Sequence, residues 1–144
     1  MTEVFFYILE DGAADAAAQF ACRLTEKAHS EGHRVFIHVA DAEQANALDE
    51  LLWRFRQGSF VPHVTAEALE ADDDLTPVVI GTGEPPVGFD DMLINVGGEV
   101  GGFFSRFARH NEVVGPEAMA AARRQYRFFK DRGYPLTTHK IAAR

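Results

Sequence analysis

Residues 35–55 read VFIHVADAEQANALDELLWRF. The first five form an apolar run broken only by His38, short enough for a strand buried on both faces. Asp41 follows where a helix N-cap belongs, and Gln44 stands three residues on, as in a capping box. Leu48, Leu51, Leu52 and Phe55 then share one side. With Leu48 at zero and about 100° per residue, the other three fall within roughly 60° of it. A buried strand feeding a capped amphipathic helix is half of a βαβ unit.

The same alternation extends in both directions. Residues 4–9 (VFFYIL) form a second buried run, and Asp11-Gly12 turns the chain. A helix pattern from Asp15 to Ser30 follows, with Ala17, Phe20, Ala21, Leu24 and Ala28 on one side and Gly32 placed to end it. Downstream, Val64 begins a short strand and Asp72-Asp73-Asp74 makes a solvated turn. Residues 78–80 and 92–96 read as strands joined by a Gly- and Pro-rich loop. Residues 102–110 read as a short helix, and Val113-Val114 as a last strand. Pro116 opens a C-terminal helix that runs to about Arg132 and closes at Gly133. The expectation is a single three-layer α/β domain over residues 1–144, with a mostly parallel central sheet and helices on both faces.

The chain has 144 residues and a net charge of −8. Residues 1–102 hold 5 basic and 19 acidic residues, a balance of −14; residues 103–144 hold 9 and 3, a balance of +6. An acidic body is a poor general binder of DNA phosphate, while a basic C-terminal third suits an acidic partner. No apolar run reaches membrane-spanning length and no signal-like segment opens the chain, so a cytoplasmic home is expected. Cys22 is the lone cysteine. No disulfide or Cys-based zinc site is expected, and a buried inert thiol is the default.

Chemistry finds little support. The six histidines include no pair at a familiar metal spacing. There is no GxSxG and no outstanding carboxylate pair. Gly97, Gly98, Gly101 and Gly102 follow a strand and precede a possible helix, a context that can hold phosphate. Neither GK[ST] nor a GxGxxG fingerprint accompanies them. Close backbone packing is the simpler reading. A small α/β enzyme binding a nucleotide or phosphate at Gly97 to Gly102 stands as the alternative.

Two surfaces are not explained by core packing. Trp53 falls about 140° from Leu48, on the acidic side between Asp49 and Glu50. Either the loop Phe60-Val61-Pro62 folds over it or a partner covers it. On the C-terminal helix, Ala118, Ala122, Gln125 and Phe129 share one side. Met119, Arg123, Tyr126, Arg127 and Lys130 share another. That second stripe suits an acidic peptide with an apolar anchor, or is an ordinary solvated basic face.

Three blocks together resemble the chi subunit of bacterial DNA polymerase III. They are LDELLW with SFVPH (48–53 and 59–63), the opening VFFYIL with the Cys22 helix, and RRQYRFFKDRGYPL (123–136). Residues 65–88 and the glycines at 97–102 depart from the family pattern. The resemblance implies a nucleotide-binding-like α/β fold without a phosphate loop, no cofactor, and a non-catalytic accessory role in DNA replication. Its implied partners are the psi subunit, and through it the clamp loader, and the acidic C-terminal tail of the single-stranded-DNA-binding protein. In some relatives a repair helicase uses the psi surface. Direct nucleic-acid contact would be weak at most, at replication forks. By matching positions the tail site comprises Arg123, Tyr126 and Arg127, with Lys130 on the same stripe and Gly133-Tyr134 at its edge. The psi surface comprises Trp53, Phe60, Val61 and Pro62.

Overall fold

In the computed structural model the 35–55 stretch folds into strand β2 (Val35–His38) and helix α2 (Ala42–Arg54). The structure describes residues 1–144 except 11, 14, 57, 59, 70–75, 143 and 144. The expected turns at Asp11 and Asp72-Asp73-Asp74 therefore lie outside the described residues, as does Ser59. Asp41 caps α2, its Oδ1 accepting from the Gln44 backbone N–H at 2.8 Å. The Gln44 side chain does not close a regular capping box. Its Oε1 accepts from the Ala40 N–H at 2.7 Å, one residue further back. That contact ties the helix start to the end of the strand.

The other elements are β1 (Glu3–Leu9), α1 (Ala16–Ser30), β3 (His63–Thr65), β4 (Val78–Gly81), β5 (Met92–Asn95), β6 (Arg109–Val114), α3 (Met119–Asp131) and β7 (Leu136–Ile141). Short 3-10 turns lie at Ala66–Ala68, Gly102–Arg106 and Pro116–Ala118. Among the described residues seven strands form one sheet in the order β3-β4-β2-β5-β6-β1-β7. Every pairing is parallel. The fold is thus the expected α/β domain, with the sheet wholly rather than mostly parallel.

Strand alternation divides the core in two. Val35, Ile37, Val78, Ile80, Met92 and Ile94 point to one side, where Ala21, Cys22, Ala28, Leu48, Leu51 and Leu52 of α1 and α2 cover them. Phe6, Phe36, Val79, Leu93 and Val114 point to the other, under Phe89, Phe104, Phe107 and the α3 residues Ala122 and Phe129. Chain direction explains the division. The connections β1 to β2 and β2 to β3 run toward the β3 edge and carry α1 and α2. The later connections run back toward β7 and carry the 3-10 turns and α3. Right-handed crossovers place oppositely running connections on opposite faces.

Two readings need correction. The 102–110 helix is a 3-10 turn that ends at Arg106, and the next strand begins at Arg109 rather than Val113. Its polar residues hid it: His110, Asn111 and Glu112 break the apolar run yet lie buried. Nor is Val113-Val114 the last strand. β7 adds an edge beside β1, with Val4 opposite Leu136 and Leu9 opposite Ile141. Its four central residues, Thr137, Thr138, His139 and Lys140, are exposed. Such an edge strand owes its existence to pairing more than to burial.

Burial pushes the Cys22 thiol up to about 12, outweighing the nearby Arg23 and Arg54 charges. The folded protein should resist alkylation by iodoacetamide near neutral pH and react once denatured, as intact-mass measurement would read. Because the folded pKa is raised, this thiol's contribution is constant at neutral pH. It declines as pH rises through the ordinary thiol range, where only the unfolded chain ionises.

Candidate functional site

Trp53 lies on the outward side of α2, as the helical angles require, and is 55% exposed. Phe60 lies beside it with ring centroids 5.6 Å apart, yet is itself 63% exposed. The loop therefore meets Trp53 without covering it. Pro62 is half-buried. Val61 corrects the expected surface: it is 2% exposed and packs into the α1–α2 core. It anchors the loop from below and leaves Phe60 outside.

His63 was not singled out from the sequence, yet it organises this patch. Its side chain is wholly buried. One ring nitrogen lies 2.6 Å from the Val61 carbonyl oxygen and the other 3.0 Å from that of Asp49. The Asp49 carboxylate is 3.3 Å away. Trp53 packs on the same ring at a centroid distance of 4.6 Å. His63 thus ties the loop to α2 and supports the Trp53 indole from behind.

The second surface is on α3, on the opposite face of the sheet. Ala122 and Phe129 are its buried seam. Arg123, Tyr126, Arg127 and Lys130 are exposed along one flank. Tyr126 is 37% exposed, its ring resting edge-on against Phe6 at 5.5 Å. Among the described residues, Arg123, Arg127 and Lys130 make no ion pair. These charges are held on one helix beside an aromatic ring and are free to receive carboxylates.

The helix closes as its sequence requires. Gly133 takes a φ of +77°, the left-handed conformation glycine favours. Its N–H donates to Lys130 O, and the Tyr134 N–H donates to Phe129 O, both at 3.1 Å. This is a Schellman closure with its apolar contact, since Tyr134 packs on Phe129 with centroids 5.7 Å apart. The Tyr134 ring also meets Phe104 at 5.5 Å. It is half-buried in that aromatic cluster, so the Gly133–Tyr134 backbone borders the stripe while the ring turns inward.

The glycine segment gains no phosphate geometry. A Cβ at Gly97 would collide with the Gln44 amide and lie 3.2 Å from Ala40 N. Gly97 is needed for close packing on the β2–α2 junction. The 3-10 turn that starts at Gly102 has five residues, too short to present a helix dipole. Behind the segment runs a chain of buried polar side chains unforeseen in the sequence. His38 Nδ1 is 2.9 Å from Asn95 Oδ1. Asn95 Nδ2 donates to both Glu112 oxygens at 3.1 and 3.0 Å. Glu112 Oε1 is 2.7 Å from His110 Nε2. These partners account for three buried polar positions in β6 and β5 that apolar periodicity could not place.

The family model described as DNA polymerase III chi subunit, HolC, matches residues 1–137. The chain is 43% identical over 143 residues to DNA polymerase III subunit chi of Pseudomonas aeruginosa, covering 98% of each chain. It is 29% identical to the subunits of that name from Haemophilus influenzae, covering 94% of this chain and 95% of the relative, and Escherichia coli, covering 96% and 97%. The chain belongs to the DNA polymerase III chi subunit family.

Proposed function

We propose that this protein is a non-catalytic accessory subunit of the DNA polymerase III holoenzyme. It joins the psi subunit, and through it the clamp loader, to the acidic C-terminal tail of the single-stranded-DNA-binding protein. One observation carries the reading: an exposed Trp53–Phe60 platform and a cationic stripe that makes no ion pair among the described residues lie on opposite faces of one sheet. An adaptor needs two surfaces that do not exclude each other.

Each surface fits its assigned partner chemically. Two large exposed rings, Trp53 packed on the buried His63 side chain and Phe60 beside it, match the aromatic anchors that dominate protein interfaces. In the second surface, the Arg123 and Arg127 forks suit tail carboxylates and Tyr126 offers packing for an apolar anchor. The balance of +6 over residues 103–144 steers an acidic peptide toward this part of the chain. Weak contacts suffice where many tails line one coated template and raise effective concentration. A repair helicase that uses the Trp53 platform would compete with psi and leave the tail site open.

Arg123→Ala is expected to weaken binding of a tail peptide by about 1–3 kcal/mol, with affinity falling as salt rises. Calorimetric titration at two ionic strengths reads both; an unchanged affinity would remove Arg123 from the site.

Trp53→Ala and Phe60→Ala should each abolish or sharply reduce co-purification with psi. Both should cost about 1 kcal/mol or less in stability, as expected of exposed side chains. By contrast, Leu52→Ala should cost about 2–5 kcal/mol. Chemical denaturation beside the pull-down separates interface from core, and intact psi binding by both variants would place the interface elsewhere.

Excess tail peptide should release the single-stranded-DNA-binding protein from an immobilised complex and leave psi bound. Loss of both would mean that the two surfaces are coupled, against the adaptor reading.

A further inference from the structure

The flank of α3 opposite Tyr126 borders a cleft that the adaptor role does not use. It has a volume of about 450 Å³ and lies between α3 and the segment from Glu99 to Gly102. That is within the range of about 300–1,000 Å³ usual for small-ligand sites. A second cavity of about 270 Å³ shares Glu99, Ala121, Arg124 and Gln125 with it, and reaches Asn95 and Glu112 where β5 and β6 end. Open α/β sheets hold ligands outside the carboxyl ends of their strands.

The lining combines flat apolar walls with an unpaired polar floor. Phe104 and Phe128 supply aromatic surface. Arg132 lies 3.8 Å over the Phe128 ring, which helps to hold it in place. At the floor, His110 is completely buried. Its Nε2 is committed to Glu112, and its Nδ1 has no partner among the described residues. The Oε1 of Gln125, which also lines the cleft, is buried and unpartnered. Buried polar atoms are nearly always paired, so two orphans on residues that line one cleft mark where a ligand's polar edge belongs. Arg124 is exposed at the rim and makes no ion pair among the described residues.

We infer that this cleft binds a nucleobase, stacked on Phe128 with Phe104, which meets Phe128 edge-on, beside it, read by Gln125 and His110, with its phosphate on Arg124. The choice follows from the combination of groups. A flat heteroaromatic ring with donors and acceptors side by side answers both the walls and the floor. An amide pairs bidentately with such an edge, and aromatic side chains stack on any base. A phenyl or aliphatic group would leave His110 Nδ1 and Gln125 Oε1 unpaired. A bare phosphate would face an aromatic wall and a carbonyl oxygen. The site differs in chemistry from a phosphate cradle at the glycines, and it does not depend on the tail or psi surfaces.

The base could come from a free mononucleotide or from a single strand, and the test separates them. The full-length protein is titrated with each deoxynucleoside monophosphate by NMR. A short single-stranded deoxyoligonucleotide is titrated by fluorescence anisotropy. Saturable binding in either arm is expected, weakened about tenfold by Gln125→Leu, which keeps side-chain bulk and helix propensity. Phe128→Ala should weaken it as well, while Arg123→Ala leaves mononucleotide binding unchanged. Equal affinity in both arms would identify a free nucleotide as sufficient; preference for the oligonucleotide would identify a strand. Three results would overturn the inference: no binding in either arm, binding lost with Arg123→Ala but indifferent to Gln125→Leu, or displacement of the nucleotide by a tail peptide whose own binding needs Gln125.

Discussion

A sheet of parallel strands cannot be built from hairpins. Each strand must be reached by a crossover, and each crossover must bury its apolar side on the sheet. In this protein that constraint decides where everything else lies. Connections running toward β3 put α1 and α2 on one face, and connections running back put α3 on the other. The Trp53 platform and the Arg123–Tyr126 stripe are separated by the thickness of the sheet because chain direction reverses between them. Two exposed surfaces on opposite faces of one sheet follow from topology.

The price of such a sheet is polar backbone and side chains deep in the layer, and the molecule answers it with pairing rather than exclusion. His38, Asn95, Glu112 and His110 form one connected set across β2, β5 and β6. His33 meets Asp91 at 2.8 Å near the other end of the strands. His63 closes the loop onto α2. Each of these four histidines has a local structural task. The set is closed except at His110 Nδ1, which has no partner among the described residues.

Much of this was legible in the residues. The β2–α2 unit, the Asp41 cap and the buried Leu48, Leu51 and Leu52 follow from period and capping chemistry, and the structure has them. The off-stripe position of Trp53 was legible too, because a helix fixes the angle between neighbours. Residues 109–114 were less so. A strand containing His, Asn and Glu breaks the apolar pattern, and only its partners on other strands make those residues tolerable inside. Strand β7 was invisible for a related reason. An exposed edge strand carries little apolar signal, and its conformation comes from the hydrogen bonds it makes to β1.

The sequence by itself determined the local states of the apolar strands and amphipathic helices: β1, β2, α1, α2 and α3, which of their faces turn inward, and the cap at Asp41 and the closure at Gly133. Those depend on neighbours within a few residues. Tertiary structure alone decided that Val61 turns inward while Phe60 stays out, and that His63 meets the Val61 carbonyl and packs on Trp53. It alone placed the Tyr134 ring with Phe104 instead of Tyr126, and set His110 and Gln125 around one cleft. Such facts depend on residues distant in the chain meeting across a packed layer. Periodicity carries no information about them, because it describes one element at a time and not what that element is pressed against.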